Sequence, residues 1–188
     1  MTKKLCVLTA LLLNFMLLFS ACKKEEAISL YVELAAYRVQ GEAVNNFDKK
    51  LREAFPQYAD MNIKGSSLDD PGVAFQIVVF MFTNEVELFI CDASASTKLA
   101  AQGDNFFALE DVFTEEEIAT FKGKGVVFEK EDDWSNPTGE YSRVCGLDLS
   151  DSEAVVELTS LPNPQIFIVA STKNMEAAKE VFKYLATL

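Results

Sequence analysis

The chain is predicted to fold as an α/β domain with a mostly parallel, mixed sheet and helices on both faces. Three observations predict it. Strand-like runs alternate with helical patterns through the first half, which is the order of parallel strands joined by crossover helices. Residues 87–92 (ELFICD) read as a short buried strand followed directly by an amphipathic stretch. Residues 28–188 are long enough for one domain with a real core.

Each element has its own warrant. Residues 28–36 (ISLYVELAA) are β-prone between polar flanks and predict the first strand. Residues 42–55 put Val44, Phe47, Leu51, Ala54 and Phe55 on one helical face, and Pro56 closes that helix. A brief second strand is expected at 61–66. Residues 73–83 (VAFQIVVFMFT) are apolar on nearly every side, so periodicity alone does not separate helix from strand. Their place between two strands favours a buried crossover helix. After strand 87–92, a short helix is expected at 96–102, ended by Gly103. Thr114 and Glu117 fit a capping box, opening a helix to about Phe121. Residues 130–139 (KEDDWSNPTG) read as a polar loop. Three apolar pieces follow, at 141–149, 154–158 and 165–170, and read as strands returning to the sheet. A helix over 174–185 closes the chain, with Met175, Ala178, Val181, Phe182 and Leu185 facing inward.

The first residues address the chain to a membrane. Lys3 and Lys4 precede a mostly apolar run over 5–21, the pattern of a secretory signal. A permanent bilayer span needs about 20 apolar residues, so the run is short for one. Its exit, Leu18-Phe19-Ser20-Ala21-Cys22, resembles the lipobox of bacterial lipoproteins, with Phe19 where leucine is usual. That resemblance implies cleavage before Cys22 and a diacylglycerol on its thiol, with palmitate-type chains. The alternative is an uncleaved amphiphilic anchor. On the lipoprotein reading, residues 1–21 are the signal and 22–27 the lipidated cysteine with a short tether. Residues 28–188 form the domain, anchored to the cell membrane and facing outside the cytoplasm. Lys23, where aspartate is absent, suggests inner-membrane retention.

Loss of Lys3 and Lys4 with the signal lowers the basic count from 17 to 15 against 29 acidic residues, a net charge of −14. Such a surface argues against nucleic acid and against lying flat on anionic lipid. Histidine is absent, which excludes histidine acid/base chemistry and histidine metal sites. Cys91 and Cys145 remain after the signal and the lipid take Cys6 and Cys22. They are expected as buried thiols inside strands, with a single disulfide as the alternative.

ELFICDASASTKLAAQGDNFFALED at 87–111 is similar to the first lobe of extracellular solute-binding proteins of ABC transporters. There a strand ends in an aspartate and a helix often reading LAAQG follows. IFIVASTKNMEAAKEVFKYL at 166–185 resembles their closing strand and helix. The family has a second lobe that this chain lacks, so the resemblance implies half of a cleft. It implies weak binding of a small solute, alone or with a partner such as an ABC permease. The competing expectation is a non-catalytic interaction module that docks to a membrane complex.

Open α/β sheets bind ligands beyond the carboxyl ends of their strands. That points to Tyr37 after the first strand and to Asp92, Ser94, Ser96 and Thr97 after the later one. The hydroxyls stand beside a helix start and Asp92 favours a cationic or hydroxylated ligand. The same residues also suit a plain turn, in which a serine caps the helix and Asp92 accepts backbone N–H groups. Trp134 and Tyr141 offer rings for stacking, or cover for a core edge. The acids at 129–133 lack the spacing of a calcium loop. No nucleophile elbow, phosphate loop or zinc pattern occurs, so neither an enzyme nor a cofactor nor a metal is expected.

Overall fold

A computed structural model describes residues 29–188 apart from 59, 84, 100–104 and 133–135. The signal, Cys22, the tether, Gly103 and Trp134 lie outside the described residues.

β1 (Ser29–Ala36) opens the fold and sends Leu30, Val32, Leu34 and Ala36 to one core and Ala35, with Tyr31, to the other. In α1 (Gly41–Ala54), Phe47 and Leu51 are buried. Ala54 is exposed, contrary to the expected face, because the chain leaves the helix at Phe55, ahead of Pro56. Phe55 turns inward instead and meets Tyr184 edge-on at 5.3 Å. β2 (Asp60–Ser67) pairs parallel with β1.

α2 (Pro71–Phe82) is the expected crossover helix. Asp70 caps it by accepting the Gly72 N–H at 2.8 Å, and Pro71 occupies the first turn. The expectation that it is buried is corrected. Ile77 and Met81 are buried, but Phe75, Val79 and Phe82 are 72%, 38% and 60% exposed. The helix returns the chain to the edge where β1 begins, and β3 (Leu88–Asp92) runs parallel beside β1.

α3 (Ala93–Leu99) springs directly from β3, three residues before the expected start. α4 (Leu109–Val112) and α5 (Glu115–Ile118) follow. The capping box of α5 is complete. The Thr114 hydroxyl accepts the Glu117 N–H at 3.2 Å, and the Glu117 carboxylate accepts the Thr114 N–H at 2.9 Å. The helix stops at Ile118 and reaches Phe121 only through turn hydrogen bonds.

The second half departs further from expectation. β4 (Lys124–Val126) is an added edge strand. β5 (Glu129–Glu131) and β6 (Pro137–Tyr141) form a hairpin where a loop was expected. β7 (Gly146–Asp148) is short, and Cys145 stands just ahead of it rather than inside a strand. Residues 154–158 are not a strand but the body of α6 (Glu153–Thr159), capped by Ser152 and closed by Ser160 in the left-handed region at φ 56°. β8 (Pro164–Ile168) and α7 (Met175–Thr187) end the chain.

The six-stranded sheet has the order β2-β1-β3-β8-β7-β4. Pairing is parallel on both sides of β1, then antiparallel from β3 to β8, β8 to β7 and β7 to β4. Four of the six strands therefore run one way, and the sheet is mixed. One face packs α1, α6 and α7 through Phe47, Leu51, Val155, Leu158, Val181 and Phe182. The other packs α2 and α3 with a group of rings, Phe89, Phe106, Phe128 and Phe167. Phe106 and Phe167 are 4.6 Å apart between ring centroids. Gly146 leaves room for β8 beside it, since a Cβ there would lie 2.4 Å from the Phe167 ring and 2.6 Å from the Ile166 carbonyl. Cys91 and Cys145 are free, buried thiols in this same core. Burial pushes Cys145 up to about 11 and Cys91 well above its ordinary value, so both stay protonated.

Candidate functional site

The residues expected at the carboxyl edge are brought to it. The parallel register Ala35↔Cys91 sets the ends of β1 and β3 side by side, so Tyr37 and Asp92 share one edge of the sheet. Tyr37 is 40% exposed. Asp92 is buried and its carboxylate is engaged locally. One oxygen accepts the Ser94 N–H at 3.0 Å together with the Ser94 hydroxyl, and the other accepts the Asn163 N–H at 3.3 Å. Ser96 is buried and donates its hydroxyl to the Ala93 carbonyl at 2.9 Å. The side chain of Thr97 lies outside the described residues. Of the plain-turn expectation, the acid's part is seen, since Asp92 accepts backbone N–H groups and ties the strand end to the loop before β8. The serine cap is not, because Ser94 and Ser96 lie inside α3.

A cleft lies elsewhere, between the β5–β6 hairpin and α4. It encloses about 340 Å³ and is lined by Phe106, Phe107, Ala108, Asp111, Lys130, Tyr141, Ser142, Arg143 and Cys145. Arg143 forms its wall, donating to Glu110 at 2.9 Å and to both oxygens of Asp111. The guanidinium holds the Asp111 carboxyl below its ordinary range. Sequence reasoning named Tyr141 for its ring but missed Arg143, whose two acidic partners lie more than 30 positions away in the chain. Among the described residues, no group of three or more acidic or cysteine side chains could hold a metal ion.

The largest departure from an ordinary surface is the outer face of α2. No residue of this helix is charged, and Phe75, Val79 and Phe82 stand at i, i+4 and i+7, one line on one face. Single exposed apolar residues are normal, whereas a contiguous apolar stripe marks a place where something binds. The sequence already contains that spacing. It escaped notice because the whole run is apolar, which reads as burial on all sides.

Beneath α2, β1 carries Glu33 on the same side as Tyr31 and Ala35. Glu33 is fully buried, and the Ser66 and Tyr31 hydroxyls lie close to its carboxylate without reaching good hydrogen-bond geometry. Desolvation pushes it up to about 7, against the opposing pull of nearby Ser66, Lys64 and Tyr31. Glu87, also buried, accepts the Tyr31 N–H at 2.6 Å, and burial raises it too.

The fold is thus a mixed α/β sheet between two cores, one of them roofed by a helix whose outer side, among the described residues, exposes Phe75, Val79 and Phe82 beside Gln76. Compared with protein-family models, with curated proteins and with solved structures, the chain matches none. No helix of the described residues is long and apolar enough to cross a membrane.

Proposed function

We propose that the chain is a membrane-anchored lipoprotein, held through Cys22, whose domain is a non-catalytic module that docks to a membrane protein through the outer face of α2. The exposed stripe Phe75-Val79-Phe82 on an uncharged helix carries this reading. The tether adds a reason. Residues 23–28 span at most about 20 Å when fully extended, so a domain on this leash stays near the membrane proteins around it. α2 ends at the sheet edge where β1 begins.

The test is photo-crosslinking in intact cells with a reactive residue at position 75, and a control at Glu157 on the opposite, exposed face of α6. A discrete protein adduct in the membrane fraction from position 75 alone is the expected result. Equal labelling from both positions, or none from 75, would sink the docking face. Replacing Cys22 by Ser in the same cells should abolish metabolic labelling of the chain by palmitate.

A second reading, the single solute-binding lobe, draws support from the cleft beside the hairpin. Its volume falls in the range of about 300–1,000 Å³ typical of small-ligand sites. On that reading, native mass spectrometry of the protein purified from its own envelope shows an added small-molecule mass that Tyr141→Ala removes. A bare chain in that experiment counts against solute binding and leaves the docking face as the functional one.

A further inference from the structure

Resting on the docking reading above, we infer that the partner presents an apolar, helix-length segment bracketed by basic residues. The twelve residues of α2 make a rod of about 18 Å. Nothing along that rod is charged, but both of its ends are acidic. Asp69 and Asp70 are exposed immediately before it, and Glu85 is exposed just after it. Asp70 is fixed there by its bond to the Gly72 N–H. Two cations stand nearby. The Lys64 ammonium sits 4.7 Å over the centroid of the Phe80 ring on the flank of the helix. Exposed Lys173, whose charge acts on Glu87, follows Ser171, which donates to the Met81 carbonyl, so the acidic bracket is strongest at the Asp69–Asp70 end.

The same charges disfavour the other occupants. Two copies packed through α2 in a two-fold arrangement would set Asp69 and Asp70 of one against Glu85 of the other. An anionic bilayer is repelled by the net charge of −14 carried beyond Cys22. A zwitterionic bilayer would accept the phenylalanines but gain nothing from the acidic ends. A segment with apolar anchors at i, i+3, i+4 and i+7 and a lysine or arginine beyond each end uses every feature of the face. Rim charges of this kind act mainly on encounter rate and on salt dependence.

The probes are two synthetic amphipathic helices that share a leucine face, one flanked by lysines and the other by glutamates. Binding is measured to the full lipidated chain in phosphatidylcholine nanodiscs, with exposed Gln76→Cys, beside the stripe, carrying an environment-sensitive dye. The lysine-flanked peptide is expected to bind about tenfold more tightly than the glutamate-flanked one, a gap that closes as salt is raised. Joint replacement of Val79 and Phe82 by Ser should abolish binding. Equal binding of both peptides overturns the charge inference and leaves the docking face standing. Dye quenching by brominated phosphatidylcholine assigns the face to lipid, and a dye-dye contact between chains assigns it to a second copy; either overturns the inference. Failure of both peptides together with failure of the crosslink at position 75 removes the docking reading itself.

Discussion

Glu33 shows how one residue sets the pH response of the domain. A carboxyl held at about 7 in the fold, against an ordinary 4.5, binds its proton more tightly when folded than when unfolded. Its stabilising contribution is therefore complete below about pH 4.5 and is lost as pH rises through 7. Buried Glu87 is shifted in the same direction. Asp111, Glu117 and Asp148 are shifted downward, and their contributions fade only in more acid solution. Stability is expected to peak near pH 5 and to fall toward pH 8, with Glu33 alone contributing up to about 3 kcal/mol of that fall. Glu33→Gln, which cannot ionise, should flatten this slope and raise the melting temperature at pH 8 more than at pH 5. Thermal melts of both proteins across that range decide it. An unchanged slope in the variant would assign the titration to another group.

At the scale of elements, what the sequence disclosed depended on whether burial left a periodic trace. α1 and α7 were legible because one face of each is apolar and the other is not. β1 and β3 were legible as β-rich runs between breakers. The β5–β6 hairpin left no trace, since β6 is exposed at all five positions and so has no apolar alternation to read. Its order comes from polar contacts such as Thr138 to the Lys130 carbonyl at 2.8 Å. α6 was misread as a strand because Val155 and Val156 favour one. Ser152, accepting the Val155 N–H, and the inward pair Val155 and Leu158 make it a helix against the sheet. The Asp92 turn was half of one reading the sequence offered, and hydrogen bonds realise it. The serine cap of that reading is absent because α3 starts at Ala93, ahead of both serines. The α2 face was hidden for the opposite reason to the hairpin: a run that is apolar all round contains no information about which side is covered.

For the whole molecule, the topology concentrates burial in the middle of the sheet. β3 and β8 are buried at all five of their positions, and β1 is nearly so. They adjoin one another in the order β1-β3-β8, exactly where the sheet changes from parallel to antiparallel. Both cores close on these three strands, so none of them can open without exposing apolar surface on two faces. The hairpin belongs to a separate two-stranded sheet, its base closed by the Ser142 N–H to Phe128 carbonyl bond, and Phe128 ties that base into the core. Amide hydrogen exchange should therefore be slowest at residues 32–34, 89–91 and 166–168, where exchange requires global unfolding. It should be fastest in residues 129–132 and 136–141. The edge strands β2 and β4 should lie between. Exchange in the hairpin as slow as in β3 would mean that the two sheets open as one unit. The separation predicted here matters for function. α2 packs through Ile77 and Met81 on the core that β1 and β3 share and also lies over edge strand β2, so on the docking proposal its apolar face is presented by a folded support rather than assembled when a partner arrives.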